Sequence, residues 1–347
     1  MKHADEILDE YGTLIERKVE EFFEQRIKET NSYHKFISNV YENLREYVMR
    51  RGKRLASCST LLVYKGYTDE IDTSILSVCV GIELYRHSIL IHDDLVDKDD
   101  FRRGGKAFHK IFENISSRFG ESTAIFSGNI LYALALNAIL ESDFDRILVH
   151  DVIDLLNRDY RNVNESQVLD ILFEYREPGI REWYKMASKR ASSLFRATML
   201  TGAILANAPK EEKDLLIECS SNIGYSFDIQ DDIIGTFGTE SEYGRPIGGD
   251  VVLGKKSLHV VYALKNSPED ESGRLRRILK KENPSKKEIN TAIEIMRKYG
   301  LEKAKERSRE HAKRAINLIK KTQMNKETKN FFIEFINYVS ESLEWYK

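Results

Sequence analysis

The chain has 347 residues, 41% of them hydrophobic, with 54 basic and 56 acidic side chains and a formal net charge of -2. That is enough apolar material for a large buried core, and the near-neutral balance excludes a global pull towards nucleic acid, so any anion-binding surface must be local. Composition also excludes a collagen-like, disulfide-stapled or disordered chain: the three cysteines, Cys58, Cys79 and Cys219, have neither metal-ligand nor disulfide spacing and read as small buried hydrophobes.

The N-terminus, Met-Lys-His-Ala-Asp-Glu, lacks an apolar signal core. No apolar run approaches the roughly 20 residues that span a bilayer. A soluble cytoplasmic protein is expected. Only five prolines occur, Pro178, Pro209, Pro246, Pro268 and Pro284, and none precedes position 178. A chain so free of helix breakers reads as helical. Apolar stripes at helical spacing follow in order: Leu8, Tyr11, Leu14 and Ile15, then Ile75, Val78, Cys79 and Ile82, then Phe331, Phe332, Phe335, Ile336 and Val339. Alternating strand patterns with hairpin turns are missing. Breaks are expected at Lys65 to Asp69, Arg103 to Lys106, Glu177-Pro178-Gly179, Ala208-Pro209, Gly235 to Gly254, and Asn266 through Pro284. Gly235 to Gly254 is the longest break, and long loops of this kind are often functional. The charged stretch 286–321 reads as a solvated outer face. The expectation is one all-α domain over 1–347.

The chemistry starts at Ile89 to Asp97, where Asp93 and Asp97 lie four apart on an apolar helix and share a face. Stacked carboxylates repel each other, a cost a helix bears on exposed surface or where a cation bridges them. Alone the pattern is weak, because acidic clusters are usually solvated. Phe227 to Gly235 repeats it with Asp228, Asp231 and Asp232, and Gly235 ends the pattern. Two such faces make hard, oxygen-rich ground for Mg²⁺, with water and phosphate completing its shell. Counter-charge follows each. Arg102-Arg103 trails the first face and Lys255-Lys256 the second. Arg51, Lys53 and Arg54 flank Gly52, and Lys189 and Arg190 lie on a helix between the acidic faces. Each basic residue alone reads as solvent-exposed. The ordered set is what a diphosphate requires.

In that order the motifs resemble those of the trans-isoprenyl (polyprenyl) diphosphate synthases, short-chain type, over residues 30–345. Ile82-Glu83-Leu84 through Asp97, then Arg102-Arg103-Gly104, looks like the family's first Asp-rich motif. Phe227 to Gly235, Gly244-Arg245-Pro246 and Asp250 to Ser257 look like the second. Gly52-Lys53-Arg54-Leu55, Glu165 to Asp170 and Ser193-Leu194-Phe195 match further landmarks. The resemblance implies an isoprenoid synthase fold, a large single-domain bundle of helices around a central cavity, and a homodimer. It implies that Asp93, Asp97 and Asp231 bind Mg²⁺, three ions with substrate present, with Asp94 and Asp232 in support. Arg102, Arg190 and Lys255 then hold an allylic diphosphate. Lys53, Arg54, Arg86, Arg103, Gln167 and Asp228 fall among substrate-binding positions. The implied reaction ionises the allylic C–O bond, adds isopentenyl diphosphate to the cation and loses a proton to the released pyrophosphate.

The chain departs from the family pattern at particular positions. Ala56 stands where the family has Arg, and Arg86 where it has His, both at the isopentenyl diphosphate site. Arg190-Ala191 replaces Lys-Thr, Asp228 replaces Gln and Asn129 replaces Asp. These changes bear on the second substrate more than on the metal site. Three other readings compete: a class I terpene cyclase or lyase with a degraded second site, a non-catalytic subunit of a heteromeric synthase, and a metal phosphohydrolase built on His92-Asp93 with His87 and His109. His92 otherwise reads as an orienting or packing residue. In the family a bulky residue five before the first Asp often closes the product tunnel. Here that position is Ser88, and Tyr85 lies one turn deeper, so a C20 to C25 product is expected.

Overall fold

The computed structural model describes residues 3–50, 52–238 and 248–341. Its contacts divide the chain into two units, each drawn from separate stretches: Met1–Leu155, Thr198–Lys210 and Gln323–Phe331, and Leu156–Ala197, Glu211–Thr322 and Phe332–Lys347. Arg51 and Gly244-Arg245-Pro246 lie outside the described residues.

In the first unit, α1 (Ala4–Asn31), α2 (Lys35–Met49), α3 (Leu55–Thr68), α4 (Thr73–Val96), α5 (Phe108–Ile111) and α6 (Ser117–Leu140) follow one another. Asp72 starts α4 by accepting the Ile75 amide, and Ser116 starts α6 by accepting that of Phe119, each satisfying an end donor. α4 is the spine: it packs along α6 and also meets α1, α2 and α3. Ile75, Val78, Cys79 and Ile82 are buried there, as expected, with Ile15, Phe23, Leu44, Leu61 and Leu62 around them. Contrary to the sequence reading, α4 and α6 are each long and apolar enough to cross a bilayer. In the fold their apolar faces meet.

Described helices of the second unit include α8 (Ile180–Ala187) and segments at Gly249–Leu253, Leu258–Asn266, Glu269–Leu279, Lys286–Met296 and Glu302–Lys321. Also present are α7 (Arg146–Tyr175), α9 (Ala191–Leu205) and α10 (Lys210–Phe237). One core layer gathers Phe173, Trp183, Met186, Ile229, Ile233, Leu258 and Val261. A second gathers Val260, Leu275, Ile278, Ile295 and Met296. The stretch 286–321 is amphipathic rather than wholly solvated, burying Ala292, Ile295, Ala304, Ala312 and Ile319. A π-helical turn at Arg297–Leu301 interrupts it. All three cysteines are reduced and buried, Cys58 and Cys79 in the first unit and Cys219 in the second. Burial pushes each thiol up.

Several expected breaks move. Lys65 to Thr68 completes α3, where Gly66 is needed because a side chain would press on Thr328 and Met324 at 3.0–3.1 Å. Gly235 sits inside α10, which continues to Phe237. Asn266 to Pro284 contains the helix Glu269–Leu279. Arg103-Gly104 is the tip of a two-residue hairpin, β1 (Phe101–Arg102) against β2 (Gly105–Lys106). Arg190 lies in the turn before α9, not on a helix.

Candidate active site

α4 ends by placing three carboxylates at its C-terminus: Asp93, the buried Asp94, and Asp97 at the cap, whose amide returns to the Asp93 carbonyl at 2.8 Å. That end of a helix carries partial negative charge, so the cluster needs cations. One is Arg102 on β1. Its Nε donates to Asp94 Oδ1 at 2.5 Å and its Nη2 reaches Asp93 Oδ2 at 3.4 Å. The second oxygen of Asp94 accepts the Tyr47 hydroxyl at 2.6 Å. Burial works against the Arg102 charge, but Asp94 and Asp93 outweigh it and hold the group firmly protonated. Burial, then the Asp94 charge, pushes Tyr47 well up, so it stays a donor. Arg50 on α2 straps the hairpin down through the carbonyls of Lys106 (2.8 Å) and Arg102 (3.2 Å).

The basic residues of this unit take different roles. Arg54 turns inwards: it is buried and donates to Glu16 (2.9 Å), the Val48 carbonyl (2.6 Å) and the Arg50 carbonyl (3.2 Å), with Glu83 at 3.5 Å. Lys53 stays near the surface, paired with Asp5 (3.2 Å) and Asp9 (3.7 Å) of α1. Arg103 lies against Gly52 with Nη1 at 3.5 Å from His87 Nε2. Burial, and next the neighbouring Arg86 charge, pushes it down to about 9. Tyr85 and Ser88 are fully buried on α4, and the Tyr85 ring meets Tyr132 of α6 at 6.2 Å. His92 Nε2 bonds the Ile125 carbonyl at 3.1 Å and its ring lies over Gly128, so it packs α4 on α6.

In the second unit the organising residue is Arg190. Its Nε faces Asp228 Oδ1 at 3.1 Å, its Nη2 Asp232 Oδ2 at 3.3 Å, and its Nη1 Asp170 Oδ1 at 3.5 Å. Asp228 also accepts the Ala191 amide at the start of α9 (3.4 Å). That contact forms because Gly224 lets α10 press against the Ser192 backbone one turn earlier. Burial, opposed by Arg190 and reinforced by Asp231, pushes Asp228 up to about 6. Burial raises Asp232 well above the carboxylate range despite Arg190. Asp231 and Gln167 are half-buried on α10 and α7. Lys255 follows Gly254, which adopts φ 73°, and its amide bonds the Asp250 carbonyl at 2.9 Å. Among the described residues no three acidic, His or Cys side chains close a metal cage by themselves. Crowded carboxylates at an unfavourable helix end, and others raised by burial, still fit Mg²⁺, which takes one or two protein carboxylates plus water and phosphate.

The sequence profile of the polyprenyl synthetase family matches residues 38–296. The chain belongs to that family. A short chain isoprenyl diphosphate synthase of Methanocaldococcus jannaschii is 33% identical over 270 residues, 78% of this chain and 80% of that protein. A geranylfarnesyl diphosphate synthase of Aeropyrum pernix is 28% identical over 302 residues, 84% of this chain and 91% of the other. A crystal structure of geranylgeranyl pyrophosphate synthase from Corynebacterium glutamicum, complexed with isoprenyl diphosphate and magnesium, superposes with a TM-score of 0.90. It covers 98% of this chain and 99% of that one at 20% identity, which carries the isoprenoid synthase fold. Membership makes the protein a prenyltransferase of isoprenoid biosynthesis with polyprenyl diphosphate synthase activity. The family match leaves the phosphohydrolase reading without support. Within this synthase, sequence reasoning passes over Tyr47, which reads as one more member of the buried stripe Val40, Leu44 and Val48. It gives Glu83 no role of its own and His87 one only in the phosphohydrolase reading, although their spacing of four was a signal that they could meet.

Proposed function

We propose that the protein condenses an allylic diphosphate with isopentenyl diphosphate to an all-trans polyprenyl diphosphate of C20 to C25, releasing pyrophosphate. Asp93, Asp97 and Asp231 are the proposed direct ligands of three magnesium ions, with Asp94 and Asp232 in support. Bound metal neutralises the departing pyrophosphate and eases its ionisation. Arg102, held by Asp94 and through it by Tyr47, binds the allylic diphosphate together with Arg190 and Lys255. Lys53, Arg86 and Arg103 take the diphosphate of the second substrate. Gln167 and Asp228 line the site, and Arg54 acts through Glu83 rather than on the substrate. One domain, a homodimer and a cytoplasmic location belong to the same proposal.

The observation that carries the two-substrate reading is the placement of Arg103, a half-buried guanidinium set against Gly52 with Nη1 3.5 Å from His87 Nε2, where burial and then the Arg86 charge weigh against its own charge. Two cations that disfavour each other's charge gain from a polyanion that binds both. Incubation with labelled isopentenyl diphosphate and allylic primers, with products separated by length, tests the proposal. Chain growth to C20 or C25 is expected; pyrophosphate release without chain growth would sink it.

Product length rests on Ser88, which is small, above Tyr85, about one helical turn or roughly 5 Å deeper. The Aeropyrum pernix relative, named for a geranylfarnesyl product, points the same way. Ser88→Phe should shorten the product and Tyr85→Ala should lengthen it. Unchanged product distributions in both would show that this face does not line the tunnel.

A further inference from the structure

We propose that His87 is a positioning residue that sets the Arg103 guanidinium for the diphosphate of isopentenyl diphosphate, as the last rung of a polar ladder from Arg54 through Glu83. The inference rests on the reading of Arg103 as a ligand of that substrate. Arg103 stands at φ 49°, with Gly104 at φ 78° after it. A non-glycine residue in that region is strained and persists only where its surroundings fix it. The tip conformation sends the guanidinium between two walls. On one side is Gly52, where an added Cβ would stand 2.8 Å from the guanidinium carbon. On the other is the imidazole of His87, with Nε2 3.5 Å from Nη1.

A guanidinium has only donors, so the nitrogen facing it must accept. The proton of His87 therefore sits on Nδ1, which donates to the Glu83 carbonyl at 2.7 Å. That backbone acceptor fixes the tautomer. The Glu83 carboxylate is in turn fixed by the Ser57 hydroxyl at 2.6 Å and faces Arg54 at 3.5 Å. Burial keeps the ring neutral by pushing it down to about 3. The chemical type matters. A carboxylate at position 87 would hold Arg103 more strongly but would cancel the charge that an incoming diphosphate needs. A neutral acceptor orients the fork and leaves its charge available. With no acceptor, Arg103 would leave the Arg86 field for solvent and regain its rotamer freedom.

The test is steady-state kinetics in both substrates, with melting temperatures, on His87→Leu, His87→Gln, Gly52→Ala and Arg103→Ala. His87→Leu removes the acceptor and should raise the KM for isopentenyl diphosphate about tenfold, the scale of a lost hydrogen bond to a charged group. The allylic KM should stay put. His87→Gln places an amide oxygen near the Nε2 position and should return the constant towards the wild-type value. Gly52→Ala displaces the flexible end of Arg103 from the opposite side and should reproduce the effect of His87→Leu without touching the core. An unchanged isopentenyl diphosphate KM in a folded His87→Leu, or both constants shifting together with a lower melting temperature and no rescue by Gln, overturns the inference. If His87→Leu does not fold, an unchanged constant in Gly52→Ala overturns it instead. If Arg103→Ala itself leaves the constant alone, the reading of the site fails and the inference with it.

Discussion

Asp94 shows what a single side chain contributes at this site. Both of its oxygens are engaged, by Arg102 and by Tyr47, so it serves as a bracket. Asp93 and Asp97 lie one turn apart at the same helix end. Asp93→Ala or Asp231→Ala should reduce turnover by at least about a thousandfold while the protein stays folded, since a metal ligand supports several kcal/mol of transition-state charge. Turnover close to wild type in either variant would remove that assignment. Arg86→His should raise the isopentenyl diphosphate KM much more than the allylic one, and Ala56→Arg in that background should restore part of the loss. Constants unmoved by Arg86→His would make Arg86 structural. The carboxylates were legible because their signal is local: acidic residues repeating at helical spacing inside apolar helices. Tyr47 was not, because its partner lies 47 residues away and nothing near it in the chain marks a polar contact. The inward turn of Arg54 was equally hidden, since its strongest partners are Glu16 and two backbone carbonyls.

At the level of elements, helices were legible from period and breaks from Pro, as at Glu177-Pro178-Gly179 and Ala208-Pro209. Glycine misled. Gly66 and Gly235 both lie within helices, and Gly66 serves close packing rather than a turn. The two-residue hairpin is too short for an alternating pattern, yet it carries Arg102 and Arg103. The π-helical turn at Arg297–Leu301 left no periodic trace either. Its Gly300 packs so tightly that a Cβ would overlap the His259 carbonyl. Backbone cannot give way as a side-chain tip can. Gly300→Ala should therefore destabilise by about 1–3 kcal/mol, seen as a melting temperature several degrees lower. An unchanged melting temperature would mean that the turn yields freely.

Across the whole molecule, four buried histidines shape the response to acid, His109 being lowered by burial and the other three further. Burial pushes His87 and His259 down to about 3 and His311 down to about 4, from an ordinary 6.5. The unfolded chain binds these protons first as pH falls, so their contribution is full above about 6.5 and drains between there and about 3, offset in part by Asp228, which is protonated first in the folded state as pH falls through about 6. Glu83 adds to the loss at the lower end. Burial raises it, but the Arg54 charge and the Ser57 hydroxyl hold it at about 2, so its contribution disappears as pH falls from 4.5. Denaturant titrations should show an acid limb to which each histidine contributes below pH 6.5. His259→Gln should flatten it by one proton's worth, ~1.4 kcal/mol per pH unit; an identical limb in that variant would contradict the assignment.

The burial of every cysteine gives the protein built-in reporters of its own opening. Cys58 and Cys79 lie in one unit and Cys219 in the other, all covered and all with thiols held protonated by burial. An alkylating reagent reacts with thiolate, so the native chain should be inert to it. Each cysteine then becomes a clock for the unit around it, readable by mass without any introduced probe. A single cooperative domain, as proposed, requires all three sites to label at one denaturant midpoint. Two midpoints, with Cys219 parted from Cys58 and Cys79, would show that the halves unfold on separate schedules.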